Sequence, residues 1–301
     1  MQPLSLMRLI LLTALTACAS ADRSTSAWVD KALTQTEGNH FEPRLMRLGH
    51  SLVAFVESRP SQTRDSVPWL FVHGMAGRWE DATKVMELAA RDHHVVALDL
   101  PGFGRSLSLR SEYTIQGYAD LLRDFLAAGG LRKVHLICHS VGGQICLTLS
   151  LSDPLSVQSL TLIDPAGTYN QSAYVENLAR THGGLNTGNI YAKGGTALAD
   201  LNWYDQAFVK RMISSNPVFL ITVESFKSNL RSRLRYLRSP TLIIWGQNDP
   251  VFPVENAFDL KENIPGAKLY VVEQAGHSPH MSHPDLVYRW VTAFHHTHGS
   301  R

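Results

Sequence analysis

Residues 134–143 read VHLICHSVGG, and this stretch decides the fold of the chain. The apolar run Val134–Ile137 has the length and composition of a buried strand. Ser140 follows among small residues, and Gly142-Gly143 would let a strand and a helix pack closely around it. The stretch therefore predicts a strand, a sharp turn at Ser140 and a helix. A serine that merely caps the helix is the alternative interpretation.

Similar short apolar runs recur on both sides of this stretch, at residues 69–72, 95–98, 160–163, 242–245 and 269–272. Residues at helical spacing separate them, as in Ile115–Leu126, which Gly129-Gly130 would end. Uninterrupted runs that alternate with helices indicate a mostly parallel sheet flanked by helices on both faces. Residues 45–48 and 52–56 alternate around Gly49-His50 and predict an opening antiparallel hairpin. The sequence thus predicts the α/β class.

Composition narrows the functional classes. The chain has 301 residues, of which 44% are hydrophobic, and a formal net charge of +2. That length suits one large core with room for an insertion. The small net charge gives no electrostatic case for a nucleic acid partner, and no protein partner is predicted.

The first seventeen residues have the features of a secretory signal. Arg8 gives the N-terminal end of this segment a positive charge, and the apolar run Leu9–Ala17 is too short to span a bilayer comfortably. The run ends in Leu15-Thr16-Ala17-Cys18, which resembles a bacterial lipobox. In lipoproteins of that kind, the signal is cut before the cysteine, which is then acylated. Cleavage near Ala19 or Ala21 with a coincidental cysteine is the alternative.

A lipidated Cys18 would anchor the mature protein to a membrane. More than one acyl chain makes such an anchor stable. We expect a signal peptide over residues 1–17 and a lipidated cysteine with a polar tether over residues 18–40. Because Ala19 rather than Asp follows the cysteine, resemblance to lipoprotein sorting patterns favours the periplasmic face of the outer membrane over the inner membrane.

One stretch interrupts the alternation of strands and helices. No clear buried strand lies between Gly167 and Arg238, where helical pieces carry many aromatic residues. A structureless loop of that length would be improbable. We predict a helical cap over residues 168–237, inserted between two parts of one core domain, residues 41–167 and 238–301.

Ser140 needs a base, since a hydroxyl is a weak nucleophile at neutral pH. His277 is the candidate because it follows the last predicted strand directly after Gly276. His280 and His283 are its neighbours and rivals. Three histidines lie near the end of the chain, at His295, His296 and His298. We expect them to belong to a solvated tail, and a metal site is the alternative interpretation.

The base needs a carboxylate that orients it. Asp249 lies after the strand at residues 242–245, and Asp164 after the strand at residues 160–163 is its rival. Asp99 precedes Pro101-Gly102 and is expected to fix a turn.

Cys138 and Cys146 are predicted to remain two small buried thiols. Eight residues of helix span about 12 Å at 1.5 Å per residue. A disulfide requires Cα atoms within about 7 Å.

Taken together, these motifs resemble the α/β-hydrolase superfamily across nearly all of residues 41–301. The resemblance rests on His73-Gly74-Met75, on residues 99–106 (DLPGFGRS), on the turn around Ser140 and on the segments around Asp164, Asp249 and His277. Within the superfamily, residues 165–167 and 244–249 look most like serine esterases and lipases similar to membrane-associated monoacylglycerol lipases. Cys138 departs from the consensus G-x-S-x-G, whose first position is glycine.

The resemblance implies roles for individual residues. The order Ser140, Asp249, His277 is the order of a catalytic triad in this fold. The backbone N–H groups of Met75 and Val141 would form the oxyanion hole, supported by the loop at His73-Gly74. No metal or organic cofactor is expected. The expected substrate is a small ester or lipid.

Other activities remain open. A C–C bond hydrolase or a cofactor-free haloperoxidase could use the same triad. Dehalogenases and epoxide hydrolases of this kind carry Asp as the nucleophile, so Ser140 disfavours them. A non-catalytic binding module would not require an intact triad.

Overall fold

The computed structural model describes residues 41, 43–60, 65–108, 113–168, 221, 224–225 and 228–298. The predicted signal peptide, lipidated Cys18 and tether lie outside the described residues. So does most of the predicted cap, of which residues 168, 221, 224–225 and 228–237 are described. Among the described residues, no helix is both long and apolar enough to cross a membrane.

The described strands form one sheet. Their bounds are β1 Arg44–Leu48, β2 Ser51–Ser58, β3 Asp65–Val72, β4 His93–Leu98, β5 Leu107–Ser108, β6 Val134–His139, β7 Val157–Ile163, β8 Thr241–Gly246 and β9 Lys268–Val272. Their order is β1-β2-β4-β3-β6-β7-β8-β9, with β5 paired to β2. The hairpin β1–β2 and the pair β2–β4 are antiparallel, whereas all pairs from β4 to β9 are parallel. The predicted α/β fold is confirmed.

Helices cover both faces of this sheet. The described α-helices are α1 Thr83–Ala89, α2 Ile115–Ala128, α3 Val141–Ser152, α4 Glu255–Asn263, α5 Pro279–Ser282 and α6 Pro284–His298, and 3-10 helices span Trp79–Ala82 and Arg231–Tyr236. Along β3, Leu70 and Val72 pack with α2, α3 and α4, while Trp69 and Phe71 pack with α1 and α6. This alternation gives the sheet a buried core on each side.

The chain leaves and re-enters the sheet between β7 and β8. The two strands pair in parallel, with Leu160 opposite Thr241 and Ile163 opposite Ile244. The amide of Leu230 donates a hydrogen bond of 2.8 Å to the carbonyl of Gly167, where the chain returns. The residues before and after this long segment therefore belong to one continuous sheet, and the segment does not separate two cores.

Cys138 and Cys146 form a disulfide, so the prediction of two free thiols is wrong. Their Cα atoms lie 6.5 Å apart. The 12 Å estimate assumed a continuous helix between them. Instead Cys138 lies near the end of β6, the chain reverses at Ser140, and Cys146 returns on α3 beside it.

The expected histidine tail is also wrong at His295. This residue lies in α6 and is buried, with its ring stacked on His135 at 3.8 Å and edge-on to Trp69 at 4.7 Å. His296 is exposed and His298 is half-buried on the same helix. Within the described ranges, these three histidines form no group close enough to hold a metal ion. Apolar residues at helical spacing carry α6 to His298 and bring His295 into the core.

Candidate active site

Ser140 lies on the sharp turn between β6 and α3. Its backbone has φ of 51° and ψ of −121°, a positive-φ conformation that is strained for a residue with a side chain. The turn is held from β7, because the Ser140 amide donates to the carbonyl of Ile163 and the Ser140 carbonyl accepts from the amide of Ala166. The surrounding strands therefore impose the strained turn.

Gly142 explains why the start of α3 contains glycine. A Cβ atom at this position would lie 2.4 Å from the carbonyl oxygen of His73 and 2.6 Å from that of Val72. Such distances are impossible without moving backbone. The absence of a side chain lets α3 begin directly against the end of β3.

Three side chains meet at the carboxyl ends of the strands. His277, which follows β9, places Nε2 3.0 Å from Ser140 Oγ and Nδ1 2.8 Å from Asp249 Oδ2. Asp249 follows β8, and its side chain is fully buried. Parallel strands end at the same edge, which is why residues so far apart in sequence meet there.

The hydrogen-bond partners of His277 assign its tautomer. The Asp249 carboxylate accepts from Nδ1–H, which leaves Nε2 to accept the Ser140 hydroxyl proton. Asp249 is fixed in turn, since its Oδ1 accepts from the amides of Val251 at 2.7 Å and Phe252 at 3.1 Å. The arrangement can transfer a proton from Ser140 to His277.

The loop after β3 lies against the serine. His73 Nδ1–H donates to the Gly74 carbonyl at 2.6 Å, and Nε2 accepts from the Leu100 amide at 2.9 Å. Burial lowers the pKa of His73 to about 4, so the ring is neutral and ties the loop to the end of β4. Met75 follows on this loop and is partly exposed. Val141 is the first residue of α3, where backbone N–H groups have no partner within the helix.

Comparison with known proteins gives the family. Residues 69–290 match the model of the alpha/beta hydrolase family, which is most of the chain. The chain belongs to the α/β-hydrolase family.

The hydrolase is similar to curated proteins at modest identity. It is 27% identical to monoacylglycerol lipase abhd6-A of Xenopus laevis over 249 residues, which is 75% of this chain and 74% of that protein. It is also 27% identical to 2-hydroxy-6-oxononadienedioate/2-hydroxy-6-oxononatrienedioate hydrolase 2 of Pseudomonas putida over 253 residues, 75% of this chain and 86% of that protein.

A solved structure shares its fold. The crystal structure of a membrane phospholipase A, a bacterial virulence factor, matches with a TM-score of 0.70 and 23% identity, and the match covers 100% of both chains. At that identity, the likeness shows the fold alone.

The rivals of His277 have different partners. His280 is buried in α5, where its ring packs 4.6 Å from that of His139, and burial lowers its pKa to about 4. His283 is half-buried, and its Nδ1 lies 2.9 Å from Ser282 Oγ. Among the three, His277 is the one that contacts Ser140 and a carboxylate.

Asp99 fixes a turn, as the sequence predicts. Its carboxylate accepts hydrogen bonds from the amides of Trp79 at 2.7 Å and Arg105 at 2.6 Å. Burial raises the pKa of Asp99 to about 6, and the backbone donors oppose that shift. This residue holds the loop beneath the site rather than contacting His277.

Sequence reasoning did not single out His139, which lies beside the triad. Its Nε2–H donates to the His277 carbonyl at 2.7 Å, and the two rings are 4.9 Å apart. Burial holds the pKa of His139 well below its usual range, so its ring is neutral. The feature of the sequence that could have identified His139 is its position inside the turn motif, immediately before Ser140.

Asp164, the rival of Asp249, is close to this group as well. Among the described residues, His139, Asp164 and His277 are the one group whose ligand-type atoms all lie within 4.8 Å of one another. Two of these side chains already have assigned hydrogen-bond roles: His139 orients the His277 backbone, and His277 bridges Ser140 and Asp249. We therefore interpret the cluster as a hydrogen-bonding environment around the base.

Proposed function

We propose that this hydrolase cleaves carboxylic esters through an acyl-enzyme on Ser140. The observation that carries the proposal is the chain of contacts from Ser140 Oγ through His277 to the buried Asp249, with Ser140 on a strained turn. The substrates are short or medium acyl esters or monoacylglycerol-like lipids. Support for a lipid ester comes from the similarity to a monoacylglycerol lipase.

The mechanism is acyl transfer in two halves. His277 Nε2 takes the proton of Ser140 as Oγ attacks the ester carbonyl, and Asp249 stabilises the imidazolium that forms. His277 then gives this proton to the leaving alcohol. In the second half, His277 activates a water molecule, which releases the acid and restores Ser140.

The oxyanion of each tetrahedral intermediate is held by the amides of Met75 and Val141. Val141 begins α3, so the positive end of the helix dipole adds to its N–H. Gly74 lies against Ser140 and brings the Met75 loop to the nucleophile. Losing one such donor typically costs about 10²–10³ in rate.

A second candidate function is hydrolysis of a C–C bond with the same triad. It is favoured by the similarity to a hydrolase of 2-hydroxy-6-oxo acids. A fluorophosphonate probe does not separate the two activities, because both need an activated serine. Substrate turnover does.

The test is hydrolysis of p-nitrophenyl esters from acetate to palmitate, and of a monoacylglycerol, by the full chain in detergent. Replacing the nucleophile in Ser140→Ala is expected to lower kcat by about 10⁴-fold or more. The matched control is Ser282→Ala, which removes an exposed serine on α5 and leaves turnover unchanged. Turnover of a 2-hydroxy-6-oxo-dienoate without any ester turnover would replace the proposal by the second candidate.

We also propose that the hydrolase is exported and anchored to the outer membrane through a lipidated Cys18. The signal-like residues 1–17 and the position of Cys18 support this. The disulfide Cys138–Cys146 supports it independently, since such bonds persist in oxidising compartments such as the bacterial periplasm.

A further inference from the structure

Asp164 has a buried carboxyl that the proposed mechanism does not use. It follows β7 with a positive φ of 43° and has no exposed surface. One oxygen, Oδ1, accepts a hydrogen bond of 2.9 Å from the amide of Gly246, at the end of β8. The backbone amide of Asp164 donates to the carbonyl of Ile244. The carboxyl is therefore held at the junction of two central strands.

The other oxygen, Oδ2, has no Lys or Arg acting on it among the residues that the structure describes. Within the described residues, no donor lies within hydrogen-bond reach of Oδ2, which is buried. The groups around Asp164 are the carboxyl of Asp249 and the imidazoles of His277 and His139. His139 is neutral and directs its Nε2–H to the His277 carbonyl. A buried carboxylate without a donor or a cation at one oxygen is costly, whereas a carboxylic acid is not.

Asp249 has the opposite environment. Its two oxygens accept from two backbone amides and from His277 Nδ1–H. Two adjacent buried carboxyls cannot both ionise cheaply, and the one with the donors keeps the charge. Burial, followed by the charge of Asp249, raises the pKa of Asp164 well above its usual range. The donors at Asp249 and their absence at Asp164 Oδ2 therefore favour the proton on Asp164.

We propose that Asp164 is a positioning residue: it stays protonated and donates a hydrogen bond from Oδ2 to the carboxylate of Asp249. This donor holds Asp249 in line with His277 Nδ1. The same hydrogen bond weakens the attraction between Asp249 and the imidazolium of His277, because part of the negative charge of Asp249 is shared with the Asp164 donor. The inference rests on the triad of the proposed function and extends it to a fourth side chain.

Asp164→Asn tests the proton directly. Asparagine reproduces a protonated aspartate, because its oxygen can accept from Gly246 and its NH₂ can donate to Asp249. It also tolerates a positive φ. If Asp164 were ionised in the wild type, Asp164→Asn would remove a negative charge near His277. The imidazolium of His277 would then be less stable, and the acid limb of the pH profile would move to lower pH.

Asp164→Ala removes the donor while leaving Asp249 in place. Without the shared proton, Asp249 attracts the imidazolium of His277 more strongly, so the base is lost at higher pH. His73, His139 and His280 also face this region and are present in every variant, so they shift all profiles alike. A purely structural role for Asp164 would lower stability without moving the acid limb.

The experiment measures the rate constant of fluorophosphonate labelling from pH 5 to 9, with the full chain in detergent. Asp164→Asn is expected to label within about threefold of the wild type with the same acid-limb midpoint. In Asp164→Ala the midpoint should rise by about half a pH unit or more. A downward shift or a loss above tenfold in Asp164→Asn overturns the proposal, and so does an unmoved midpoint in folded Asp164→Ala.

Labelling separates this inference from the substrate proposal. Wild-type protein that labels but hydrolyses no ester contradicts the proposed function, while the acid-limb comparison still decides the role of Asp164. Wild-type protein that is folded by circular dichroism and does not label contradicts the activated triad, and with it both proposals. If Asp164→Ala does not fold, the Asp164→Asn profile alone decides whether the carboxyl is neutral.

Discussion

Gly74 lies where a single added methyl group would contact the nucleophile directly. A Cβ atom there would lie 2.9 Å from Ser140 Cβ and 2.9 Å from His139 Nδ1. We expect Gly74→Ala to lower kcat about 10- to 100-fold, because small displacements of reacting groups are costly. Steady-state hydrolysis of p-nitrophenyl butyrate is the measurement.

Gly276→Ala is the control for that variant. Gly276 directly precedes His277, yet the nearest atom to its Cβ would be Pro250 Cδ at 3.9 Å, an ordinary contact. Ester turnover should remain within about threefold of wild type, because the added methyl group would not displace the reacting groups. Equal losses in both variants would show that general disturbance of the loops, and not the contact with Ser140, lowers the rate.

At the scale of single residues, the sequence identified Ser140, Asp249 and His277 because each lies three to five residues after a predicted strand. It left Asp164 and Asp249 as rivals, since both follow strands in the same way. The structure separates them by their partners: His277 bonds Asp249, whereas the Asp164 carboxyl accepts from Gly246.

At the scale of elements, the disulfide joins the end of β6 to α3 across the turn that carries Ser140. Closing a loop of eight residues restricts the unfolded chain and is expected to stabilise the fold by about 2–3 kcal/mol. We therefore expect the double variant Cys138→Ala, Cys146→Ala to unfold about 5 °C lower than wild type. Thermal unfolding followed by circular dichroism measures this.

Dithiothreitol provides the matched comparison for the disulfide. It should lower the unfolding temperature of the wild type towards that of the double variant and leave the double variant unchanged. Thiol titration of the denatured protein should find Cys138 and Cys146 only after reduction. Two free thiols without reduction would contradict the bond, and an unchanged unfolding temperature would contradict its stabilising effect.

The elements show why this bond escaped the sequence prediction. Each half of the segment was predicted correctly, as a strand before Ser140 and a helix after it. Helical rise gives the distance between Cys138 and Cys146 only if the helix is continuous, and this segment reverses at Ser140. Local patterns predict the conformation of each element but give no distance across a sharp turn.

At the scale of the whole molecule, the anchoring proposal predicts where the hydrolase resides. Expressed in a Gram-negative bacterium with labelled palmitate, the full chain should incorporate the label and fractionate with the outer membrane. Cys18→Ser should lose the label, because the acylated thiol is absent. The double variant of Cys138 and Cys146 is the control and should keep it.

Other outcomes of this labelling are equally informative. An unlabelled wild type with a new N-terminus near Ala19 or Ala21 would indicate an ordinary signal peptide and overturn the anchor. A label that persists in Cys18→Ser would place acylation at another residue. Labelled protein in the inner membrane would correct the sorting prediction alone.

The sequence by itself determined the α/β class, the interruption of the core and the three residues at the strand ends. These features are encoded locally, since strand length, helical period and turn composition report the conformation and burial of neighbouring residues. The His-Gly loop and the turn at Ser140 were recognised for the same reason.

Only the tertiary structure decided the disulfide, the burial of His295 against His135 and which of Asp164 and Asp249 contacts His277. Each depends on distances between segments, and those distances follow from the strand order β3-β6-β7-β8 and from the reversal at Ser140. Such packing is set by all the elements together, so no local pattern in the sequence contains it.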